Sequence, residues 1–264
     1  MATPNVRTKR KLANALRRHT RSMDGWVRWS KITSKMRAHE ANAFLMGVML
    51  DRGGLAERAW DAAEHFCSSV GDPDDVSRLW SEILAMDPPR LRGYLRYGYG
   101  GKAFHRYYKS FAKLLPQAAE HLLDNYEGDP RRIWNNQRNI AKVKQLLDDI
   151  PTIGPGLANM AVLILARNHG LLGGKRARKQ LDPKPDIQVR RVFTRTGLIP
   201  KGAPDEGIIE VARELSPDFP AALDAPAWDI GQQWCKPSHP LCSECPLGAV
   251  CQRIGIQRKV AAGR

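Results

Sequence analysis

Apolar residues along this chain recur at helical spacing and almost never alternate. From Ala41 to Leu50, Phe44, Leu45, Val48 and Met49 make one stripe, and Asp51-Arg52-Gly53-Gly54 ends it. A second stripe, Ala59, Trp60, Ala63 and Phe66, occupies Leu55 to Ser68, and the pattern continues through Trp80 to Met86, Leu91 to Tyr97, Phe104 to Leu115 and Ala118 to Tyr126. Spacing of this kind gathers apolar side chains on one side of a 3.6-residue helix, where they can be buried together. No run of alternating β-branched residues is long enough for a sheet. The pattern predicts an all-α fold without internal repeats. His169 to Lys184, rich in Gly and Lys, reads as irregular.

One pair of stripes has a special joint. Ile140, Val143, Leu146, Leu147 and Ile150 are followed by Pro151-Thr152-Ile153-Gly154-Pro155-Gly156, and then by a second stripe, Leu157, Met160, Ala161, Ile164 and Leu165, closed by Asn168-His169-Gly170. Such a helix-hairpin-helix points the N–H groups that open its second helix outward, where their partial positive charge can hold a phosphate oxygen. Glycine at 154 and 156 lets a strand approach the bare backbone. A plain turn in a helical bundle would read the same way. Further on, Asp186 stands just before an amphipathic segment carrying Val189, Val192 and Phe193. A carboxylate there is either a helix N-cap or an anion available for chemistry.

Composition narrows the partners. The 264 residues, 42% hydrophobic, suffice for a sizeable core, while 42 Lys and Arg against 27 Asp and Glu leave +15 at pH 7. A field of that sign favours a polyanion, of which nucleic acid is the commonest. No apolar run approaches the roughly 20 residues of a membrane span, which predicts a soluble protein without membrane contact. Residues 1–22 carry Arg7, Lys9, Arg10, Lys11, Arg17, Arg18 and Arg21 with no acid and no apolar h-region. They read as a cationic arm or helix touching phosphates, or as a solvated tail, and not as a secretory signal. The expected location is the cytoplasm, at the nucleoid if the source is bacterial or archaeal.

Five cysteines without an export signal argue against a disulfide framework. Cys67, alone in a helical pattern, is expected to be a small buried hydrophobe. Cys235, Cys242, Cys245 and Cys251 fall together as C-x6-C-x2-C-x5-C, enough thiolates for a [4Fe-4S] cluster or one tetrahedral zinc. Lys102-Ala103-Phe104-His105-Arg106-Tyr107-Tyr108-Lys109 interleaves basic and aromatic side chains, which suits base stacking or phosphate contact, with core packing the better account of Phe104 and Tyr108.

Three of these motifs carry a resemblance. Ile150 to Asn159 resembles the hairpin of the endonuclease III branch of the HhH-GPD DNA glycosylases, L-P-G-[VI]-G-x-K-T-A-[ND]. Asp186-Ile187-Gln188-Val189-Arg190-Arg191 resembles the setting of that family's catalytic aspartate. The cysteine spacing after Trp234, preceded by Trp228-Asp229-Ile230-Gly231, is similar to its cluster loop. The resemblance covers roughly Ala41 to Arg253 and implies two helical lobes with the active site in the cleft between them. It implies a basic N-terminal segment 1–40 joining the cluster lobe, and a six-helix barrel-like lobe 41–168 with the hairpin at 139–167. Residues 169–264 would hold a basic insertion, the acid-bearing helix and the cluster lobe.

By the same resemblance Asp186 is the catalytic residue, and Cys235, Cys242, Cys245 and Cys251 hold a [4Fe-4S] cluster. Arg52, Pro151, Ile153, Gly154, Gly156, Lys175 and Arg176 are the expected DNA-binding residues. Two departures from the family bear on its chemistry. Gly156 occupies the position of the Schiff-base lysine, and Asp51 to Gly54 lacks the glutamine that fills the gap left by a flipped base, so Arg52 either inserts instead or pairs with Asp51. The implied protein is a monomeric, monofunctional DNA glycosylase acting on duplex DNA with a damaged or modified base. The alternatives are a glycosylase/lyase using another amine, such as Lys175 or Lys179 of the basic insertion 171–182, and a non-enzymatic hairpin DNA binder.

Overall fold

The computed structural model describes residues 5–23, 36–53, 56–135, 137, 139–172 and 174–256, with only the backbone of Ser22, Gly174 and Lys175. Gly54, Leu55 and Gly173, named in the sequence reading, lie outside the described residues. Helices and one short 3-10 turn account for the regular structure, and no β-strand occurs among the described residues. No described helix is long and apolar enough to cross a membrane. The chain divides into two compact units, Val27–Ala177 and the pair Met1–Trp26 with Arg178–Arg264.

The first unit holds α2 (Ala38–Leu50), α3 (Ala56–Val70), α4 (Arg78–Ala85), α5 (Pro88–Tyr97), α6 (Tyr108–Tyr126), α7 (Arg131–Trp134), α8 (Ile140–Asp148), α9 (Pro155–Asn168) and most of α10 (Gly174–Arg178). Its central element is α2, in which Ala41, Asn42 and every residue from Phe44 to Leu50 are buried. Gly47 is where α3 crosses closely: a Cβ there would lie 2.5 Å from the Trp60 ring. Asn42 is tolerated in this core because Nδ2 donates to the Val76 carbonyl at 2.8 Å and Oδ1 accepts from the Trp80 indole at 2.9 Å. Cys67 is buried, and burial pushes its thiol pKa up, as befits an inert packing residue.

Two runs that the sequence separates, Phe104 to Leu115 and Ala118 to Tyr126, are not two helices. Helix α6 starts at Tyr108 and passes through Pro116 without a break. Proline removes one internal N–H and commonly ends a helix. Here Phe111, Ala112, Leu115, Ala118, Ala119 and Leu122 form one continuous buried face that spans it. Phe104 lies in the preceding turn and is buried, as expected, against Phe66 and Tyr94.

In the second unit, α1 (Val6–Ser22) packs with α11 (Ile187–Thr196), α12 (Asp205–Leu215), the 3-10 turn Pro220–Leu223 and α13 (Asp224–Gln233). The basic N-terminus is therefore neither arm nor solvated tail but a helix, capped by Asn5 through the Thr8 N–H at 2.9 Å. Leu12, Ala13, Ala15 and Leu16 are buried with Val192, Phe193, Ile208, Leu223 and Ile230. Each such leucine contributes about 1.5–3 kcal/mol. His19 fixes the far end of α1, 2.7 Å from the Asp229 carboxylate and edge-on to Trp234.

The Gly- and Lys-rich stretch expected to be irregular contains α10, and its apolar residues Leu172, Ala177 and Leu181 are buried. Their burial gives this segment order that its glycines concealed. Asp182 ends it inside the second unit, held by both carboxylate oxygens on Arg213 at 2.9 Å.

Candidate nucleic-acid interface and acid site

The hairpin forms where the apolar stripes place it, α8 followed by α9. Asn139 caps α8, its side chain accepting the Lys142 N–H at 3.2 Å. Gly154 is the N-cap of α9 and Pro155 its first residue, where a missing N–H costs nothing. No side chain caps this helix, and the N–H groups of Gly156 and Leu157 meet no acceptor among the described residues. Gly154 sits at φ −107° and ψ 178°, a conformation open to any residue, and a Cβ at 154 or 156 would meet nothing within 4 Å. Neither the backbone nor the packing of this unit requires glycine at either position. Pro151 is half-buried and Ile153 is 4% exposed, so a ligand at this turn would meet main chain more than side chain.

Thr152 is the strained residue of the turn. Its φ of +92° lies in the region disfavoured for side chains branched at Cβ, and its buried hydroxyl has no hydrogen-bond partner among the described residues. The family pattern has glycine here, a departure visible in the sequence. Its carbonyl accepts from the Arg52 guanidinium, which also donates to the Met49 carbonyl at 3.4 Å and lies over the Phe111 ring. Arg52 is thus turned inward onto the hairpin, and burial draws its pKa down. A third residue completes the brace. His105 donates from Nε2 to the Arg52 carbonyl and accepts the Tyr107 N–H at Nδ1, 3.1 Å away. That pattern requires neutral imidazole, and desolvation by burial lowers the pKa accordingly. Arg106 stacks over the exposed Tyr107 beside Gly53, completing the surface next to Arg52.

Arg176 is exposed on α10, while the side chain of Lys175 lies outside the described residues. Lys179, also exposed, is 3.3 Å from the Asp218 carboxylate.

In the second unit Asp186 is the N-cap of α11, with Oδ1 accepting the N–H groups of Gln188 and Val189, each at 2.8 Å. The capping reading is therefore correct as geometry, and it holds a half-buried carboxylate in one orientation. Helix α11 is itself held from α13 and the cysteine segment. Arg191 donates to the carbonyls of Gly231 at 2.8 Å and Cys235 at 2.5 Å, and Arg195 to those of Lys236 and Pro237 at 2.6 Å. Gly231 permits the close approach, since a Cβ there would fall 2.7 Å from Cβ of Gln188. Sequence reasoning missed Thr152, His105, Arg191, Arg195 and Gly231 as contributors.

Cys235, Cys242, Cys245 and Cys251 all line one small pocket with Trp234, Pro240, Gly248, Arg253 and Ile256, and none is in a disulfide. Burial, reinforced by the neighbouring thiols, pushes Cys245 up to about 11 and raises Cys251. Cys251 Sγ lies 3.4 Å from the Arg195 carbonyl and from the Arg253 N–H, and Cys235 Sγ is 3.5 Å from the Arg195 guanidinium. Among the described residues no three His, Cys, Asp or Glu side chains close on one point as around a single bound ion.

The fold has solved counterparts. A trapped covalent endonuclease III–DNA intermediate, an estranged-adenine complex, matches with a TM-score of 0.65 at 16% identity over 93% of this chain and 96% of that one. The chain has the endonuclease III fold. A non-covalent endonuclease III–DNA complex matches at 0.59 and 17% identity, covering 83% and 85% of the two chains. A thermostable thymine-DNA glycosylase matches at 0.60 and 16% identity, covering 94% and 96%. No family model and no curated protein matches the sequence. At these identities the endonuclease III fold is what is shared, and it agrees with the all-α reading of the sequence.

Proposed function

We propose that this protein is a monofunctional DNA glycosylase that acts on duplex DNA, flips out a damaged or modified base and hydrolyses its N-glycosidic bond. The observation that carries the reading is the uncapped start of α9, whose unmatched N–H groups and unneeded glycines suit a phosphate of a close-packed strand. The net charge of +15 points to the same ligand.

Asp186 is the acid of the proposed reaction. As the bond from C1′ to the base nitrogen breaks, positive charge grows on the sugar, and a fixed carboxylate stabilises it. A water oxygen bonds to C1′; its proton passes to the carboxylate as general base, while the base departs with the bonding electron pair. The product is an abasic site. Gly156 offers no amine for an imine at C1′, so strand cleavage by β-elimination should be weak or absent. The four cysteines would hold a [4Fe-4S] cluster. Their shared pocket supports this. Such a cluster would cross-link the loop that Arg191 and Arg195 grip.

The test is a panel of duplexes, each with one lesion, treated with hot alkali to reveal abasic sites. Excision of at least one base, reduced about 100-fold or more by Asp186→Asn, is expected. Borohydride should trap no covalent adduct. Excision unaffected by Asp186→Asn, or efficient trapping, would overturn the mechanism. Iron and sulfide analysis of protein purified without oxygen should give four of each per chain.

A further inference from the structure

The basic residues of α1 are sorted by face. Lys9 and Arg17 lie toward the unit they stabilise: Lys9 pairs with Glu214 at 3.1 Å, and Arg17 donates to the Leu215 carbonyl at 2.5 Å. Arg7, Arg10, Lys11, Arg18 and Arg21 are exposed, and none of the five meets an acid or acceptor among the described residues. At 100° per residue these five fall within an arc of roughly 100°, opposite the buried Leu12, Ala13, Ala15 and Leu16. Asn14 shares the arc and no acid does; α1 contains none.

This arrangement works against the helix that carries it. Arg7 and Arg10, Arg7 and Lys11, and Arg18 and Arg21 are like-charged neighbours three or four positions apart. Arg7, Lys9 and Arg10 also crowd the positive end of the helix dipole, with no acid in the first turn to offset them. An external anion relieves both repulsions. The stripe runs roughly 21 Å along the helix, and a duplex strand presents a comparable line of closely spaced charges.

We infer that this face of α1 is a second DNA contact, holding the phosphate backbone of undamaged duplex independently of any excised base. The inference rests on DNA being the substrate, as proposed above. It gives the protein a sequence-independent grip on which it can be retained between lesions, with the hairpin left to engage the damaged site.

The measurement is fluorescence anisotropy of lesion-free 20-base-pair duplex against salt, using the full-length holoprotein. In the variant Arg7→Gln/Arg10→Gln/Lys11→Gln/Arg18→Gln/Arg21→Gln the slope of log K against log salt should fall by about one for each side chain that reaches a phosphate. A fall of one or more supports the inference. A smaller change overturns it, as does lost binding to phosphatidylserine vesicles with duplex binding intact. Gln matches Arg in helix propensity, and unchanged far-UV circular dichroism confirms that α1 persists. Replacing the four arginines by Lys should restore the slope; if it does not, the loss came from folding and the inference fails. Because the duplex holds no lesion, the two readings fail separately: a wild type that excises nothing from the lesion panel, while the salt slope still falls in the variant, defeats the glycosylase reading and leaves this one standing.

Discussion

Replacing Thr152 by Gly should make the protein more stable. In its present conformation, φ +92°, the threonine bears a cost on the order of 1–3 kcal/mol. Its buried hydroxyl, without a hydrogen bond among the described residues, adds about 1 kcal/mol. Against this, glycine raises the entropy of the unfolded chain by roughly 0.5–1 kcal/mol, and the lost methyl removes about 0.8 kcal/mol of burial. The Arg52 bond survives, because its acceptor is the main-chain carbonyl. The balance is a gain of roughly 1 kcal/mol, which in a protein of this size raises Tm by about 2–4 °C. Differential scanning calorimetry of wild type, Thr152→Gly and Thr152→Ala decides the matter. Alanine removes the hydroxyl but keeps a Cβ at positive φ, so it should recover less than half of the glycine effect. A glycine variant no more stable than wild type, or an alanine variant equal to it, would refute the assignment of strain to the backbone of this turn.

Three further outcomes follow from the same geometry. Arg52→Ala removes a charged donor from the Thr152 carbonyl and should cost about 1.5–3 kcal/mol in urea denaturation, with faster hydrogen exchange in 151–154. Unchanged exchange there would show that Arg52 does not brace the hairpin. His105 is held neutral with a lowered pKa, so its contribution is fully present above the ordinary histidine value of about 6.5 and is lost as pH falls through the lowered one. The stability gap between wild type and the non-titrating His105→Gln should therefore shrink on acidification from pH 7 to 5, and a constant gap would contradict the tautomer described. Gly231→Ala drives a methyl against Gln188 and should destabilise by about 1–3 kcal/mol; a neutral substitution would mean that α11 and α13 can part without penalty.

Much of the fold was legible because helices are written locally. The stripes at 140–150 and 157–165 mark α8 and α9 to within three residues at each end, and the cysteine spacing marks the pocket that all four line. What the sequence did not disclose depends on distant partners. Arg52 and Thr152 are 100 positions apart and meet through a carbonyl, which every residue has, so no residue type announces the contact. The runs ending at Leu115 and starting at Ala118 were read apart, and Pro116 between them locally prefers to end a helix; the buried face on both sides overrides that preference. The N-terminal segment was legible as arm or helix, but its charge obscured the core face made by Leu12, Ala13, Ala15 and Leu16. At the acid site the capping role of Asp186 was readable, whereas the arginines that aim its helix were not.

Arg191 and Arg195 grip the end of α13 and the cysteine segment through peptide oxygens, at Gly231, Cys235, Lys236 and Pro237. Since the anchor points belong to the polymer itself, the identity of residues 236 and 237 is decoupled from the bearing of α11. Mutational drift at those two places should leave the carboxylate at its post, while any change in the path of the main chain between 231 and 237 would swing it away. Saturation mutagenesis should accordingly find substitutions accepted at 236 and 237, and insertions or deletions between 231 and 237 rejected.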